Sequence, residues 1–474
     1  MESGNFELNV ARFIVEKTDM SLFLTGKAGT GKTTFLREVV RNTKKKCIVL
    51  APTGIAAVNA GAMTIHSFFQ FGLGPFVQGV IEPKSDFRIN KSKLELIRNL
   101  QLLIIDEVSM VRADLMDHID VELRRIRRNS KPFGGVQLLL IGDLQQLPPI
   151  AHGSEDDLLR QYYKTLYFFS SAALKSMKYS CIELKNVYRQ TDRHFIDILN
   201  RARECTLTYQ DIADLNDRFI PGFSPKPEEG YIRLMTHNRQ VDNINETELA
   251  KLDSHAYTFE AAVTGTFPEE SFPTANSLTL KKGAQVMFIK NDPERRFING
   301  TLGEVRSIDK NSIAVRLAES GKTIDVEPME WQNIRYQFDE ESKEISSKQI
   351  GRFKQYPLKA AWAITIHKSQ GLTFDKAIVD VHAAFSPGQA YVALSRCRTL
   401  DGLVLSAPIC ASVFRKDNAV DAFLSYIYCP VEELAFSSCY EYFEYEKKPE
   451  PEEVAPTAEV NADKREVPVE IPDT

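Results

Sequence analysis

The segment Leu22-Phe-Leu-Thr-Gly26-Lys-Ala-Gly-Thr-Gly31-Lys32-Thr33-Thr34 joins a short apolar run to a glycine-dense loop and then to a helical pattern. It fits GxxxxGK[ST] at every fixed position, in the strand–loop–helix setting the motif requires. Leu22, Phe23 and Leu24 read as a buried strand, and Leu36, Val39 and Val40 as the inner face of the helix. The glycines let successive backbone N–H groups turn inward as an anion nest, and the helix N-terminus adds positive potential. Lys32 is placed to reach the β- and γ-phosphates of ATP, and Thr33 to offer an oxygen to Mg²⁺. The predicted cradle is Gly26, Ala28, Gly29, Thr30, Gly31, Lys32, Thr33 and Thr34.

Further nearly continuous apolar runs, Cys47–Ala51, Leu102–Ile105 and Gln137–Ile141, alternate with helical patterns. That is the mark of an α/β fold with a parallel sheet buried on both faces. The run at 102–105 ends in Asp106-Glu107, at the carboxyl end of its strand, where α/β sheets bind ligands. Asp106 can join the Mg²⁺ shell and Glu107 can polarise an attacking water. Gly142-Asp143-Leu-Gln145-Gln146-Leu-Pro148-Pro149 follows the next strand, and Gln146 can sense the γ-phosphate. Leu115, Ile119, Leu123 and Ile126 predict an amphipathic helix. Its Arg124, Arg125, Arg127 and Arg128 form either a solvated face or a DNA-backbone contact.

The chain of 474 residues has room for about three domains. Its net charge of −5 argues against a uniformly basic coat, but residues 441–474 hold 11 acidic against 4 basic side chains, so the remainder is near neutral and can carry a basic groove. No run approaches the roughly 18 apolar residues of a membrane span, and the start, MESGNFELNV, lacks a secretory signal. The seven cysteines never form CxxC and the eight histidines never form HExxH, which points to reduced thiols and no zinc centre. Residues 70–92, rich in Gly, Pro and isolated aromatics, read as an inserted subdomain. Period-two alternation with turn signals at Asn299-Gly300, Asp309-Lys310-Asn311 and Glu319-Ser320-Gly321 predicts an inserted β-barrel over 284–354. Residues 447–474 have the composition of a disordered tail. A GTPase is disfavoured, since the one Asn-Lys pair, Asn90-Lys91, lacks the Asp of NKxD.

The remaining segments stand in a telling order: Ala51-Pro-Thr53-Gly-Ile-Ala-Ala, Thr64-Ile-His66-Ser67-Phe68, Ile105-Asp-Glu-Val-Ser-Met110, the Gly142–Pro149 stretch, Val187-Tyr-Arg189-Gln, Thr365-Ile-His367-Lys368-Ser369-Gln370-Gly371 and Tyr391-Val-Ala-Leu-Ser395-Arg396. This set resembles the petite-integration-frequency (Pif-type) DNA helicases of superfamily 1B, the RecD-like branch, over about residues 6–415. The resemblance implies two RecA-like P-loop lobes with ATP between them: 1–69 with 93–180, and 181–283 with 355–432. Residues 70–92 correspond to a strand-separating wedge and 284–354 to a Src-homology-3-like barrel. Arg189 and Arg396 would reach the γ-phosphate from the second lobe, a suitable task for a permanently charged planar fork. Gln370 and Gly371 would join the nucleotide site.

The same resemblance places single-stranded DNA against Pro52, Thr53, His66 and Ser67 on the first lobe and His367, Lys368 and Ser369 on the second. Hydroxyls, amides and lysine suit phosphate contact. Phe68 or Phe69 can stack on a base while at least one of the pair serves the core. The implied activity is ATP-dependent 5′-to-3′ unwinding by a monomer, with forked DNA, G-quadruplexes and RNA–DNA hybrids as plausible substrates. The setting would be the bacterial cytoplasm, or the nucleus or mitochondrion of a eukaryote, with no membrane partner. The alternative is a remodeller that uses ATP as a switch without processive unwinding. The family's adenine-reading Gln is missing from residues 6–12, where Asn9 is the substitute. Fewer than 30 residues precede Gly26, as in a near-minimal core.

Overall fold

The computed structural model describes residues 6–72, 74–81, 91–151, 154–188, 190, 192–226, 229–269, 272–294, 296–309, 312–338 and 345–427. Arg189 and the predicted tail at 447–474 lie outside them, as do residues 82–90 of the wedge.

The first lobe is built on a six-stranded sheet: β1 (Ser21–Gly26), β2 (Cys47–Ala51), β3 (Met63–Thr64), β4 (Leu102–Ile105), β5 (Gln137–Ile141) and β6 (Tyr179–Leu184), in the order β3-β2-β4-β5-β1-β6. Every pairing is parallel. β1, β4 and β5 are buried from end to end, which is why they read as unbroken apolar runs. β6 includes residues 181–184, which the sequence assigned to the second lobe. It is the edge strand of the first sheet, so the lobe boundary falls after it.

Helix Ala113–Arg127 buries Leu115, Ile119, Leu123 and Ile126 as its spacing predicts. Three of its arginines are engaged within the protein, although Arg125, like Arg128, remains exposed. Arg124 pairs with Asp120 and Arg125 with Glu122, while Arg127 donates to the carbonyls of Ile97, Arg98 and Leu100. The root of the 70–92 insert is seated on this helix by a ring sandwich. His118 stacks between Phe71 (3.5 Å) and Phe76 (4.0 Å).

The second sheet comprises β7 (Ile232–Met235), β18 (Ala363–Thr365), β19 (Ala377–Val379) and β20 (Leu403–Leu405), parallel in the order β18-β7-β19-β20. Antiparallel sheets are inserted between β7 and β18. One runs β14-β13-β12-β11-β17, from β11 (Gln285–Phe288), β12 (Leu302–Ile308), β13 (Ile313–Leu317), β14 (Thr323–Val326) and β17 (Leu358–Ala360). Another joins β15 (Met329–Phe338), β16 (Ile345–Gln355) and β9 (Ala262–Gly265), and a third pairs β8 (Ala256–Glu260) with β10 (Ser277–Lys281). The insert therefore extends beyond 284–354 on both sides. Its early strands escaped the sequence pattern because β8 and β9 are mostly exposed and show no buried alternation. β11 is buried on both faces: Val286 and Phe288 enter the insert's own core, and Met287 and Ile289 enter that of the second lobe.

Helix Asn418–Ile427 follows the second lobe in the chain but packs on the first. Val420 is fully buried there, Phe423 stacks on Phe169 at 4.1 Å, and Asp417 accepts a hydrogen bond from the Tyr167 hydroxyl at 2.8 Å.

Candidate active site

Adjacent parallel strands β4, β5 and β1 bring their carboxyl ends to one edge, so three loops meet there. After β1, Gly31 takes φ +89 as the N-cap of helix Lys32–Asn42, a conformation that any L side chain would strain. Lys32 Nζ lies across the loop, donating to the carbonyls of Gly26 (2.6 Å) and Lys27 (3.0 Å).

After β4, Glu107 adopts φ 52, a left-handed geometry uncommon outside glycine and concentrated at functional sites. Burial raises the pKa of both neighbouring carboxyls. Asp106 is raised despite the Glu107 N–H and the charges of Lys32 and Arg37. Glu107 is pushed up to about 7 by burial and then by Asp106. After β5, Asp143 is fully buried and accepts from Gln146 Nε2 at 3.1 Å.

The second lobe closes the opposite wall. The Tyr391 hydroxyl accepts from the Ala28 N–H at 3.1 Å, and Gln370 Nε2 donates to Glu107 Oε2 at 2.8 Å. Arg203 Nη2 pairs with Asp143 Oδ1 at 3.1 Å and with Glu183 at 3.3 Å. Burial tends to raise the Asp143 carboxyl, but Arg203 and Lys32 outweigh it and hold the pKa below the ordinary value. The Tyr188 N–H donates to the Gly29 carbonyl at 2.8 Å as the chain crosses between lobes. At Gly388, φ is +71, and an added Cβ would stand 2.2 Å from the Gln146 oxygen and 2.5 Å from that of Gln145. The lobes touch backbone to backbone at that point.

A cavity of about 270 Å³ remains, lined by residues 28–34 together with Glu107, Gln146, Tyr188, Gly371 and Arg396. Arg396 is 1% exposed, with Nε donating to the Val392 carbonyl (2.9 Å) and Nη2 to Ser395 Oγ (2.8 Å). Lys32, Glu107, Gln146 and Arg396 are thus brought together as the sequence predicts. Gly26 contributes its carbonyl to Lys32, and Gln370 lines the adjoining groove. Asn9 Oδ1 accepts from Arg12 Nη1 at 3.1 Å, and Arg12 in turn pairs with Glu38.

The adjoining groove, about 640 Å³, includes Thr33, Asp106 and Glu107 at one end and Thr53, His367 and Lys368 along it. Pro52, His66 and Ser67 are not among its lining residues. Two predicted DNA contacts need correction. Phe68 is 2% exposed in the core of the first lobe, edge-on to Phe69 at 4.8 Å with Lys93 Nζ 5.0 Å from its ring, so it offers no face to a base; Phe69 is equally buried. Ser369 is fully buried and its hydroxyl donates to the Ile366 carbonyl at 2.7 Å, so it shapes the 366–371 turn.

The Tyr391 contact and the Asp143–Arg203 pair went unread in the sequence. Tyr391 carried a signal, a lone hydroxyl in the otherwise apolar Tyr391-Val-Ala-Leu run. Arg203 carried none, being one basic residue among several in its helix.

A GxxxxGK[ST] loop on a parallel RecA-like sheet, faced by a second α/β lobe across a shared cavity, defines a two-lobed P-loop nucleotide-binding protein. A family profile described as PIF1-like helicase matches residues 6–211. The chain is 32% identical to the ATP-dependent DNA helicase Pif1 of Bdellovibrio bacteriovorus, across 81% of this chain and 84% of that one. It is 35% identical to the PIF1 helicase of Danio rerio, across 81% of this chain and 58% of that longer protein. The crystal structure of a Bacteroides Pif1 in complex with ADP-AlF4 superposes with a TM-score of 0.82 at 39% identity, covering 90% of this chain and 97% of that one. The Bacteroides Pif1 bound to single-stranded DNA superposes at 0.66, also at 39% identity, covering 89% and 96%. The chain belongs to the PIF1-like helicase family.

Proposed function

We propose that the chain translocates 5′ to 3′ along single-stranded DNA as a monomer and unwinds the duplex ahead of it, with G-quadruplexes and RNA–DNA hybrids among its substrates. Its family makes it an ATP-dependent DNA helicase; direction, oligomeric state and preferred structure are the finer reading. The observation that carries the motor is the cavity walled by both lobes, with Tyr391 on the phosphate loop and Gln370 on Glu107.

Lys32 leaves the loop carbonyls for the β- and γ-phosphates when ATP enters. Glu107 orients the attacking water, and its raised pKa suits a group that accepts a proton near neutrality. Arg396 and Arg189 stabilise charge on the transferred phosphoryl group from the second lobe. Gln146 senses the γ-phosphate and passes its loss across the Gly388 contact. The residues fit a Mg²⁺ ion: two adjacent carboxyls are raised by burial, and the Thr33 hydroxyl lines the same groove as Asp106. Thr33 and Asp106 would hold it, and bound there it would screen the phosphate charge.

The strand runs through the groove past Thr53, His367 and Lys368 and continues over Pro52, His66 and Ser67 on the first lobe. The antiparallel insert serves as the Src-homology-3-like accessory domain beside that path, and residues 70–92 as the wedge. Alternating closure and release moves the strand. The two Bacteroides structures superpose on this chain to different degrees, which supports domains that change their mutual placement.

Lys32→Ala should abolish DNA-stimulated ATP hydrolysis and release of a strand from a 5′-tailed partial duplex, while DNA binding persists. Strand release by that variant at the wild-type rate would overturn the assignment. Release from 3′-tailed but not 5′-tailed duplex would reverse the polarity.

A further inference from the structure

Helix Lys32–Asn42 turns Phe35, Leu36 and Val39 into the core and leaves Thr33 and Arg37, one turn apart, together on its exposed side. Thr33 and Glu107 line both the nucleotide cavity and the adjoining groove; Arg37, Asp106, Thr53 and Ala56 line the groove and not that cavity. Helix Gly54–Ala60 packs against helix Lys32–Asn42, and its start is fixed by the Ala56 N–H, which donates to Thr53 Oγ1 at 3.2 Å. The first lobe's side of the groove is therefore borne on two helices in mutual contact and on the end of β4.

That wall is poorly suited to a polyanion but for one residue. A phosphodiester laid against Thr53 and Ala56 passes the Asp106 and Glu107 carboxyls, and like charges repel strongly where burial lowers the dielectric. Arg37 is the one cation among the described first-lobe residues of the wall. Its charge is felt at Asp106, where it opposes the effect of burial on that carboxyl. Arginine suits the position, since it is permanently charged and its planar fork offers parallel N–H donors to phosphate oxygens. Across the groove the second lobe presents Lys368, also exposed.

We propose that Arg37 binds one backbone phosphate of the single strand, giving the first lobe the cationic contact that Lys368 gives the second. The assignment rests on the groove being the strand path. Its test is fluorescence anisotropy of a labelled oligo-dT titrated with the full chain at several KCl concentrations. Arg37→Gln should make the slope of log K against log[salt] shallower by about 0.7, the loss of one single-strand phosphate contact, and so weaken binding about fivefold near 0.1 M KCl. Arg37→Lys keeps the charge and loses the fork; it should retain the wild-type slope and bind within about twofold of wild type.

Wild-type slope and affinity in Arg37→Gln would overturn the proposal while leaving the strand path intact, provided Lys368→Ala still makes the slope shallower. The same result with a raised KM for ATP would assign the guanidinium to a nucleotide phosphate instead. A shallower slope in Arg37→Lys as well would trace the effect to the helix rather than to the charge, and would overturn it too. If the wild-type chain fails to bind oligo-dT, or Lys368→Ala leaves its slope unaltered, the strand path itself fails.

Discussion

Gly388→Ala isolates the contact between lobes from the chemistry they enclose. The new methyl carbon would lie 2.2 Å from the Gln146 oxygen and 2.5 Å from that of Gln145, against about 3.3 Å for an ordinary carbon–oxygen contact. The lobes must part by roughly 1 Å to make room. Two costs follow, and they act on different quantities. Alanine at φ +71 is strained by about 1 kcal/mol whether the lobes are open or closed, so that strain lowers thermal stability only. The overlap exists only in the closed arrangement, and overpacking of this kind costs about 1–3 kcal/mol. At 1.36 kcal/mol per tenfold, turnover should fall about 5- to 150-fold. The assay is steady-state ATP hydrolysis at saturating oligo-dT, with the melting temperature measured in parallel. A well-folded variant whose kcat stays within about twofold of wild type would refute the view that closure at this point limits turnover.

Gln146→Ala removes the amide that bonds Asp143 and lines the cavity. Unwinding in a strand-release assay should fall about tenfold, the scale of a hydrogen bond to a charged group. ATP affinity should stay near normal, and a large loss of affinity would argue against a sensing role. Arg203→Ala leaves the fully buried Asp143 without its main cation and should destabilise the fold by about 3–5 kcal/mol at pH 7. The native Asp143 pKa is depressed, so its pairing stabilises the protein above the ordinary carboxylate pKa and is lost as pH falls through the folded value. The gap in melting temperature between variant and wild type should therefore narrow as pH falls below the ordinary carboxylate value of 3.8, and an unchanged gap there would remove Asp143 as the cause.

Local signals were the legible ones. The phosphate loop, the flanking strand and Asp106-Glu107 are contiguous segments whose spacing encodes their geometry, and each took its predicted place. Helix Ala113–Arg127 announced itself by periodicity, although its arginines could be resolved only by finding their partners in three dimensions. Contacts between lobes were illegible in detail: Ala28 and Tyr391 are 363 residues apart, and no periodicity links them. Phe68 misled because an aromatic in a helix has the same sequence signature whether it faces a base or the core. β8 and β9 were missed for the opposite reason, since an exposed strand lacks the apolar alternation that marks a half-buried one.

Helix Asn418–Ile427 returns the chain to the first lobe, where Phe423 is stacked on Phe169. The polypeptide thus joins the lobes on two separate straps, one after β6 and one between Leu405 and Asn418, as a box lid hangs on two hinges. Swing about the line through the straps stays cheap, while twist across it would put one of them in tension. The axis about which the lobes can hinge is in this sense written into the connectivity of the backbone, ahead of any contribution from ligand chemistry.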